Sequence, residues 1–233
     1  MAPSLVSCIV PCFNGERFLG EALDSILAQT HQPLEIIVVD DGSTDGSAAL
    51  VRRYGDAVRY HRQPNGGPAA ACNAGLARAT GEYVAFLEQD DLWVPDKTRR
   101  QLGELEADAR VDYCVGHAQN FWIPELAVDA ERHGTRGVTA AVPGYVVQTL
   151  LARRRVFGHV GGFDESLRYA SAAEWFIRAD ERGAVGRLIP DVVTRRRLHQ
   201  DNVSRRNRAA SRDEFLHVLK ARLDRRRAAQ HPA

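Results

Sequence analysis

One short stretch, Gly81–Trp93 (GEYVAFLEQDDLW), constrains the fold of this chain more than any other. Tyr83-Val84-Ala85-Phe86-Leu87 is continuously apolar, the pattern of a strand covered on both faces. It runs directly into Glu88-Gln89-Asp90-Asp91. Three carboxylates within four residues repel one another. A hard divalent cation, Mg²⁺ or Mn²⁺, offsets such repulsion because it takes oxygen ligands and shares them with phosphates. In open α/β sheets ligands sit beyond the carboxyl ends of strands, which is where this cluster falls. A solvated acidic turn would have the same composition, so the rest of the chain has to decide between the two.

The flanking sequence repeats the strand-then-polar-loop pattern. Leu5–Val10 reads as a strand stopped by Pro11, followed by the loop Cys12-Phe13-Asn14-Gly15 and a helix from about Glu16 to Gln29 with apolar positions at helical spacing. Leu34–Val39 is a second buried strand, ending in Asp40-Asp41-Gly42-Ser43-Thr44-Asp45. Thr44 or Asp45 can cap a helix to about Tyr54, Val58–Tyr60 reads as a third strand, and Pro68 suits the first turn of a helix reaching about Ala79. Strand–helix alternation with short loops predicts an α/β fold with a doubly wound, mainly parallel sheet and helices on both faces. Right-handed crossovers then gather the ends of the first, second and fourth strands on one edge.

The second half carries weaker signals. A helix is expected from Pro95 to about Ala107, then a strand over Val111–Phe121 broken by Gly116. Pro124–Pro143 reads as a long irregular connection, Tyr145–Leu151 as a strand, and Arg153–His159 as a short helix. A turn over Gly161–Glu165 leads to a helix over Ala172–Arg182, and Val185–Ile189 and Val192–Arg197 read as two short strands. From about Ser211 the apolar positions Phe215, Leu216, Leu219 and Leu223 fall among arginines, as in an amphipathic helix.

Bulk properties exclude several classes. The chain has 233 residues, 44% hydrophobic and 26% charged, which suits one globular domain. Net charge is +1, giving no general drive toward nucleic acid, and the arginines of 205–212 lack interleaved aromatics. No apolar run approaches the ~18 residues of a membrane span, and the N-terminus lacks a basic leader, so a cytoplasmic protein is expected. Cys8, Cys12, Cys72 and Cys114 show no CxxC spacing and read as reduced, mostly buried thiols rather than a zinc site. Neither GxGxxG nor GxxxxGK[ST] is present, which argues against a dinucleotide oxidoreductase or P-loop enzyme.

Five segments in order, VSCIVPCFNGERFLGEALDSILAQT, EIIVVDDGSTDGS, NGGPAAACNAGLARATGEYVAFLEQDD, GGFDESL and RRRLHQDNVS, resemble the family-2 glycosyltransferases of the GT-A fold. The likeness runs over about residues 5–205. It implies a single GT-A domain over 1–205, with a nucleotide-sugar-binding half (1–100), an acceptor-binding half (101–205) and a basic tail over 206–233. By resemblance, Pro11, Phe13 and Asn14 lie at the base and ribose, with a core aromatic as the other reading of Phe13. Asp41 matches a carboxylate that accepts a hydrogen bond from the pyrimidine ring, while Asp40 contacts the donor or only shapes the turn. Asn73 matches the NAG position, or caps nearby backbone.

Glu88-Gln89-Asp90-Asp91 stands where the family has its acidic DxD-type motif, with Glu in place of the usual first Asp. The resemblance gives Glu88 and Asp90 to the donor, and Asp90, Asp91 and His199 to a Mn²⁺ or Mg²⁺ ion. Arg197 would offset charge on the departing diphosphate. The acidic pair that supplies the base in the family is replaced by Ser171-Ala172, which leaves Glu174 as the nearest carboxylate; it is either the base or a helix N-terminal acid favoured by the macrodipole. The implied activity is metal-dependent, inverting transfer from a nucleotide-diphosphate sugar, a UDP-sugar first, to a hydroxyl on a saccharide, peptide or lipid-linked acceptor. Two alternatives stand beside it: nucleotide-sugar binding with little or no turnover, and transfer to a lipid phosphate with the basic tail in peripheral contact with a membrane.

Overall fold

The computed structural model describes residues 3–132, 139–202 and 206–230, with side chains to 227. Residues 133–138 of the Pro124–Pro143 connection, and Arg205 of the arginine cluster, lie outside the described residues. The first half contains β1 (Val6–Cys12), α1 (Leu19–Leu27), β2 (Leu34–Asp40), α2 (Ser47–Arg52), β3 (Arg59–Arg62), α3 (Pro68–Leu76), β4 (Tyr83–Phe86), β5 (Leu92–Trp93) and α4 (Lys97–Ala107). The second contains β6 (Tyr113–Trp122), α5 (Ala127–Arg132), β7 (Val142–Pro143), β8 (Leu151–Arg153), α6 (Arg155–Val160), α7 (Ser171–Glu181), β9 (Gly186–Leu198) and α8 (Arg208–Gln230).

The strands form one mixed sheet in the order β3-β2-β1-β4-β8-β6-β9-β5, with β7 paired to β6. The β3-β2-β1-β4 block is parallel throughout, so β1, β2 and β4 do end on the same edge. Their apolar runs are continuous because both faces are covered. Val6, Cys8 and Val10 of β1 pack with Leu19, Leu23 and Ile26 of α1 on one face, and Ile9 packs with Ala71 and Cys72 of α3 on the other. This alternation is the period of a strand. All four cysteines are buried and free.

Pro11 does not stop β1. Register with β4 ends at Ile9↔Phe86, so Pro11 lies beyond the last β4 partner, where a missing N–H costs no ladder bond on that side. The two strands expected at 185–197 are one thirteen-residue strand, β9. Pro190 falls in the register shift between Leu188 and Val192, the kind of bulge that tolerates proline. Gly116, expected as a break, lies inside β6; a Cβ there would come within 2.5 Å of Val193, so glycine allows the bulge to approach. The segment before β8 is a single helical turn at Val147–Thr149, not a strand. Thr149 Oγ1 donates to the Gly144 carbonyl and, at 2.9 Å, to that of Val146, and such local hydroxyl–backbone bonds compete with a ladder.

The C-terminal helix α8 lies against α7, with Val218 buried beside Ala170 and Ile177. Phe215, Leu216 and Leu223 are exposed, so the docked face is not the one that the apolar positions alone suggest. No described helix is long and apolar enough to cross a membrane.

Candidate active site

The site is built where β1, β2 and β4 end. After β1 the chain turns at Asn14, whose φ of 51° is the left-handed region that asparagine tolerates. Asn14 Oδ1 accepts from Thr44 N at 2.8 Å and its own N–H donates to Ser43 Oγ at 3.0 Å, which locks the loops after β1 and β2 together. Asp40 is fully buried, accepting from Tyr60 Oη and, at 2.7 Å, from Ser43 N. Asp41 is also buried and accepts from Gln63 Nε2, Gly66 N and Gly67 N at 2.9, 2.8 and 2.7 Å. A cavity of about 420 Å³ lined by Gly42, Arg62, Gln63 and Pro64 opens beside these loops. Phe13 is 46% exposed, so it is a surface aromatic and not part of the core.

Phe13 is held from the third strand end. Gln89 Oε1 accepts from Phe13 N at 2.8 Å and Gln89 Nε2 donates to Phe13 O at 3.0 Å. Sequence reasoning gave Gln89 no role, because an amide that pairs with backbone 76 positions away leaves no local pattern. Gly15 completes the fit, since a Cβ there would lie 2.4 Å from Gln89 Oε1.

Glu88, Asp90 and Asp91 each place a carboxylate oxygen within 4.8 Å of the others. Asp91 is 1% exposed and held at both oxygens, by Arg197 N and by Gln148 Nε2, each at 2.9 Å. Asp90 Oδ2 meets His199 Nε2 at 2.8 Å and Asn202 Nδ2 at 3.2 Å. Burial, reinforced by the Asp90 charge, pushes Glu88 up to about 7. Burial and then the charges of Asp90 and Glu88 push Asp91 well above the ordinary carboxylate range. The Arg196 charge opposes both shifts more weakly. An oxygen-rich set with one imidazole, short of positive charge, fits Mg²⁺ or Mn²⁺.

Arg197 does not supply that charge in the way expected. Its Nε donates to the Asp90 carbonyl at 2.9 Å, its Nη2 to Glu21 at 2.8 Å, and its guanidinium lies 4.6 and 4.9 Å from the ring centres of Phe18 and Phe121. With its side chain 7% exposed it is a strut behind the acidic turn, committed to protein partners rather than open to a diphosphate. Asn202 is a second residue that sequence reasoning missed: it accepts from His199 N at 2.7 Å and donates to Arg197 O at 3.0 Å, which fixes the histidine loop.

Two sequence candidates lie apart from this cluster, and both are fastened to the Gly161–Glu165 turn. Asn73 accepts from Phe163 N and donates to Phe163 O and Glu165, all at 2.8 Å. Glu174 receives both arms of Arg178, at 2.9 and 2.7 Å, and Arg178 also donates to the carbonyls of Val160 and Gly162. The structure thus gathers Glu88, Asp90, Asp91 and His199 in one cluster. It joins them through Gln89 to the loop of Phe13 and Asn14, itself locked to the Asp40–Asp41 loop.

The family model "Glycosyl transferase family 2" matches residues 7–168. An uncharacterized glycosyltransferase of Rickettsia typhi is 36% identical over 183 residues, which is 74% of this chain and 58% of that protein. The chain therefore spans a little over half the length of that relative. Glycosyltransferase GlyA of Streptococcus pneumoniae is 36% identical over 119 residues, 50% of this chain and 17% of that protein. Among solved structures, Staphylococcus aureus TarS 1-349 in complex with UDP-GlcNAc superposes with a TM-score of 0.73 at 20% identity, covering 93% of this chain and 65% of that one. Mannosyltransferase PcManGT of Pyrobaculum calidifontis, in complex with GDP-Man and Mn²⁺, gives 0.74 at 22% identity, covering 96% and 65%. The chain belongs to glycosyl transferase family 2, and its fold is the GT-A glycosyltransferase fold.

Proposed function

We propose that this chain moves a sugar from a nucleoside-diphosphate donor, a UDP-sugar first, to a hydroxyl acceptor with inversion at the anomeric carbon and with a divalent cation bound. The observation that carries this reading is the charge-deficient cluster of Glu88, Asp90 and Asp91, with His199 on Asp90, at the carboxyl edge of the parallel strands. Solved neighbours bound to UDP-GlcNAc and to GDP-Man with Mn²⁺ support a sugar nucleotide as the ligand class.

Asp90, Asp91 and His199 would hold the cation, and Glu88 and Asp90 would face the donor ribose. When bound, the ion supplies positive charge next to the leaving diphosphate. Phe13, exposed and steadied by Gln89, offers a face to the base, with Pro11, Asn14, Asp40 and Asp41 shaping the adjoining loops and Asn73 holding the turn beyond them. Glu174 takes the acceptor proton as the new C1–O bond forms and the bond from C1 to the diphosphate oxygen breaks. Each of its oxygens accepts one bond from the Arg178 fork and keeps a second lone pair for that proton.

That fork, together with Ser171-Ala172 at the positions of the family's acidic pair, favours a second reading: a nucleotide-sugar-binding protein without turnover. A thermal-shift panel of NDP-sugars with and without Mn²⁺ tests the binding common to both, since a ligand of the native state raises the melting temperature by mass action. Donor consumption then separates them. If neither a shift nor consumption occurs with any donor, the transfer reading is wrong.

A further inference from the structure

Glu214 stands outside the residues matched by the family model, on the C-terminal helix, yet it reaches the entrance of α7. Its Oε1 accepts from Arg168 N at 2.9 Å, and its Oε2 accepts from Tyr169 N and Ala170 N, both at 2.6 Å. Three backbone donors converge on one carboxylate. Ala170 is the residue that caps α7, and α7 has no cap from a side chain of its own at that position. The Ala170 carbonyl in turn accepts the first bond of the helix, from Glu174 N at 2.9 Å. One residue thus links the tail carboxylate to the backbone of Glu174.

The rest of α8 keeps this carboxylate in place. Val218 packs against Ala170 and Ile177, Arg222 pairs with Asp180 at 2.5 Å and Arg225 with Glu181 at 3.0 Å. These contacts run in step along both helices, so α8 lies alongside α7 in the same direction. A negative charge at a helix start is stabilised by the exposed N–H groups and the macrodipole. At positions 171–172 this chain has Ser-Ala, so α7 brings no acid of its own to its first two residues.

We infer that Glu214 is a positioning residue for sugar transfer: the C-terminal helix sets the entry of α7 and, through Ala170, the place of Glu174. This deepens the transfer reading and rests on it. The tail is a working part of the acceptor half and not an appendage.

The test uses the full chain with Glu214→Gln, which keeps size but replaces one acceptor oxygen with an NH₂ group facing N–H donors. Amide hydrogen exchange is measured at 168–174, and NDP-sugar hydrolysis is measured with Mn²⁺ across pH. Expected are faster exchange at Arg168, Tyr169 and Ala170 and a fall in kcat of about tenfold, with donor KM and the shape of the pH profile unchanged, because a small misplacement costs rate without touching donor contacts. Val218→Ala, which loosens the docking and leaves the carboxylate intact, should move both readouts the same way by less, and it serves if the Gln variant does not fold. Unchanged exchange, or faster exchange with parental kcat, would overturn the proposal. So would a donor KM that rises along with the loss of kcat. A parent with no turnover on any donor breaks the transfer reading and this proposal with it; a parent that turns over while both variants match it breaks only the proposal.

Discussion

The acidic turn after β4 and the helix α7 both carry carboxylates, and their charges are handled in opposite ways. On α7 each of Glu174, Asp180 and Glu181 has a guanidinium partner, Arg178, Arg222 and Arg225 respectively. In the acidic turn, Asp91 is hydrogen-bonded by neutral N–H donors, and Glu88 sits at about 7 through burial and the Asp90 charge. Arg197, whose contacts run to this turn, gives its side chain to Glu21 and a backbone carbonyl. One region is electrostatically closed; the other, where the Arg196 charge opposes the acids only weakly, is more open. A set with Asp91 buried and Glu88 and Asp90 half-buried at a sheet edge supports the proposed cation site, while a closed set does structural work unless something releases it.

The largest effect is expected at the open end. Asp90→Asn removes the carboxylate that His199 and Asn202 share. It should abolish the Mn²⁺-dependent part of the donor thermal shift and lower turnover by about 100-fold or more. A variant that kept its Mn²⁺ response would show that the turn is merely acidic. Next comes the closed end: Glu174→Gln should lower donor turnover by about 100-fold with donor affinity unchanged, the scale of a lost general base. Equal rates in variant and parent would mean that α7 contributes no chemistry and would favour the binding-only reading.

A smaller effect follows from Glu88. Its folded value of about 7 lies above its ordinary 4.5, so without metal this group lowers stability progressively as pH rises from 4.5 to about 7. Metal binding requires the charged form, so Mn²⁺ affinity should climb over the same window, measured by titration at several pH values. Glu88→Gln should flatten both slopes and raise the melting temperature of the metal-free protein at pH 8. A variant whose stability follows the parental pH curve would remove Glu88 from the open cluster. The smallest change is expected for Gln89→Ala, which frees the Phe13 backbone. Donor KM should rise about fivefold with kcat unchanged, the order of one or two lost hydrogen bonds.

Much of the first half was legible in the sequence, for a local reason. In β2 and β4, Ile36-Ile37-Val38-Val39 and Tyr83-Val84-Ala85-Phe86 are short runs apolar at every consecutive position, the pattern of a strand covered on both faces. The acidic turn was equally plain, because its like charges are adjacent in the chain. Elements of the second half were harder to read. The two-residue strands β5 and β7 exist only through their partners β9 and β6, and Gly116 of β6 gives the β9 bulge room that a Cβ would take. Nothing local to Phe13 separates core from surface; its 46% exposure and the distant Gln89 amide on its backbone place it at the rim.

The α/β alternation, the identity of the charged residues at the strand ends and the family to which they point can all be read along the chain. Those are properties of neighbours in the chain. Which charges are already paired depends on packing: Arg197 with Glu21, Glu174 with Arg178, Glu214 with the start of α7. A side chain's partner is fixed by packing between distant segments, and the free energy of a charge depends on that partner and on burial.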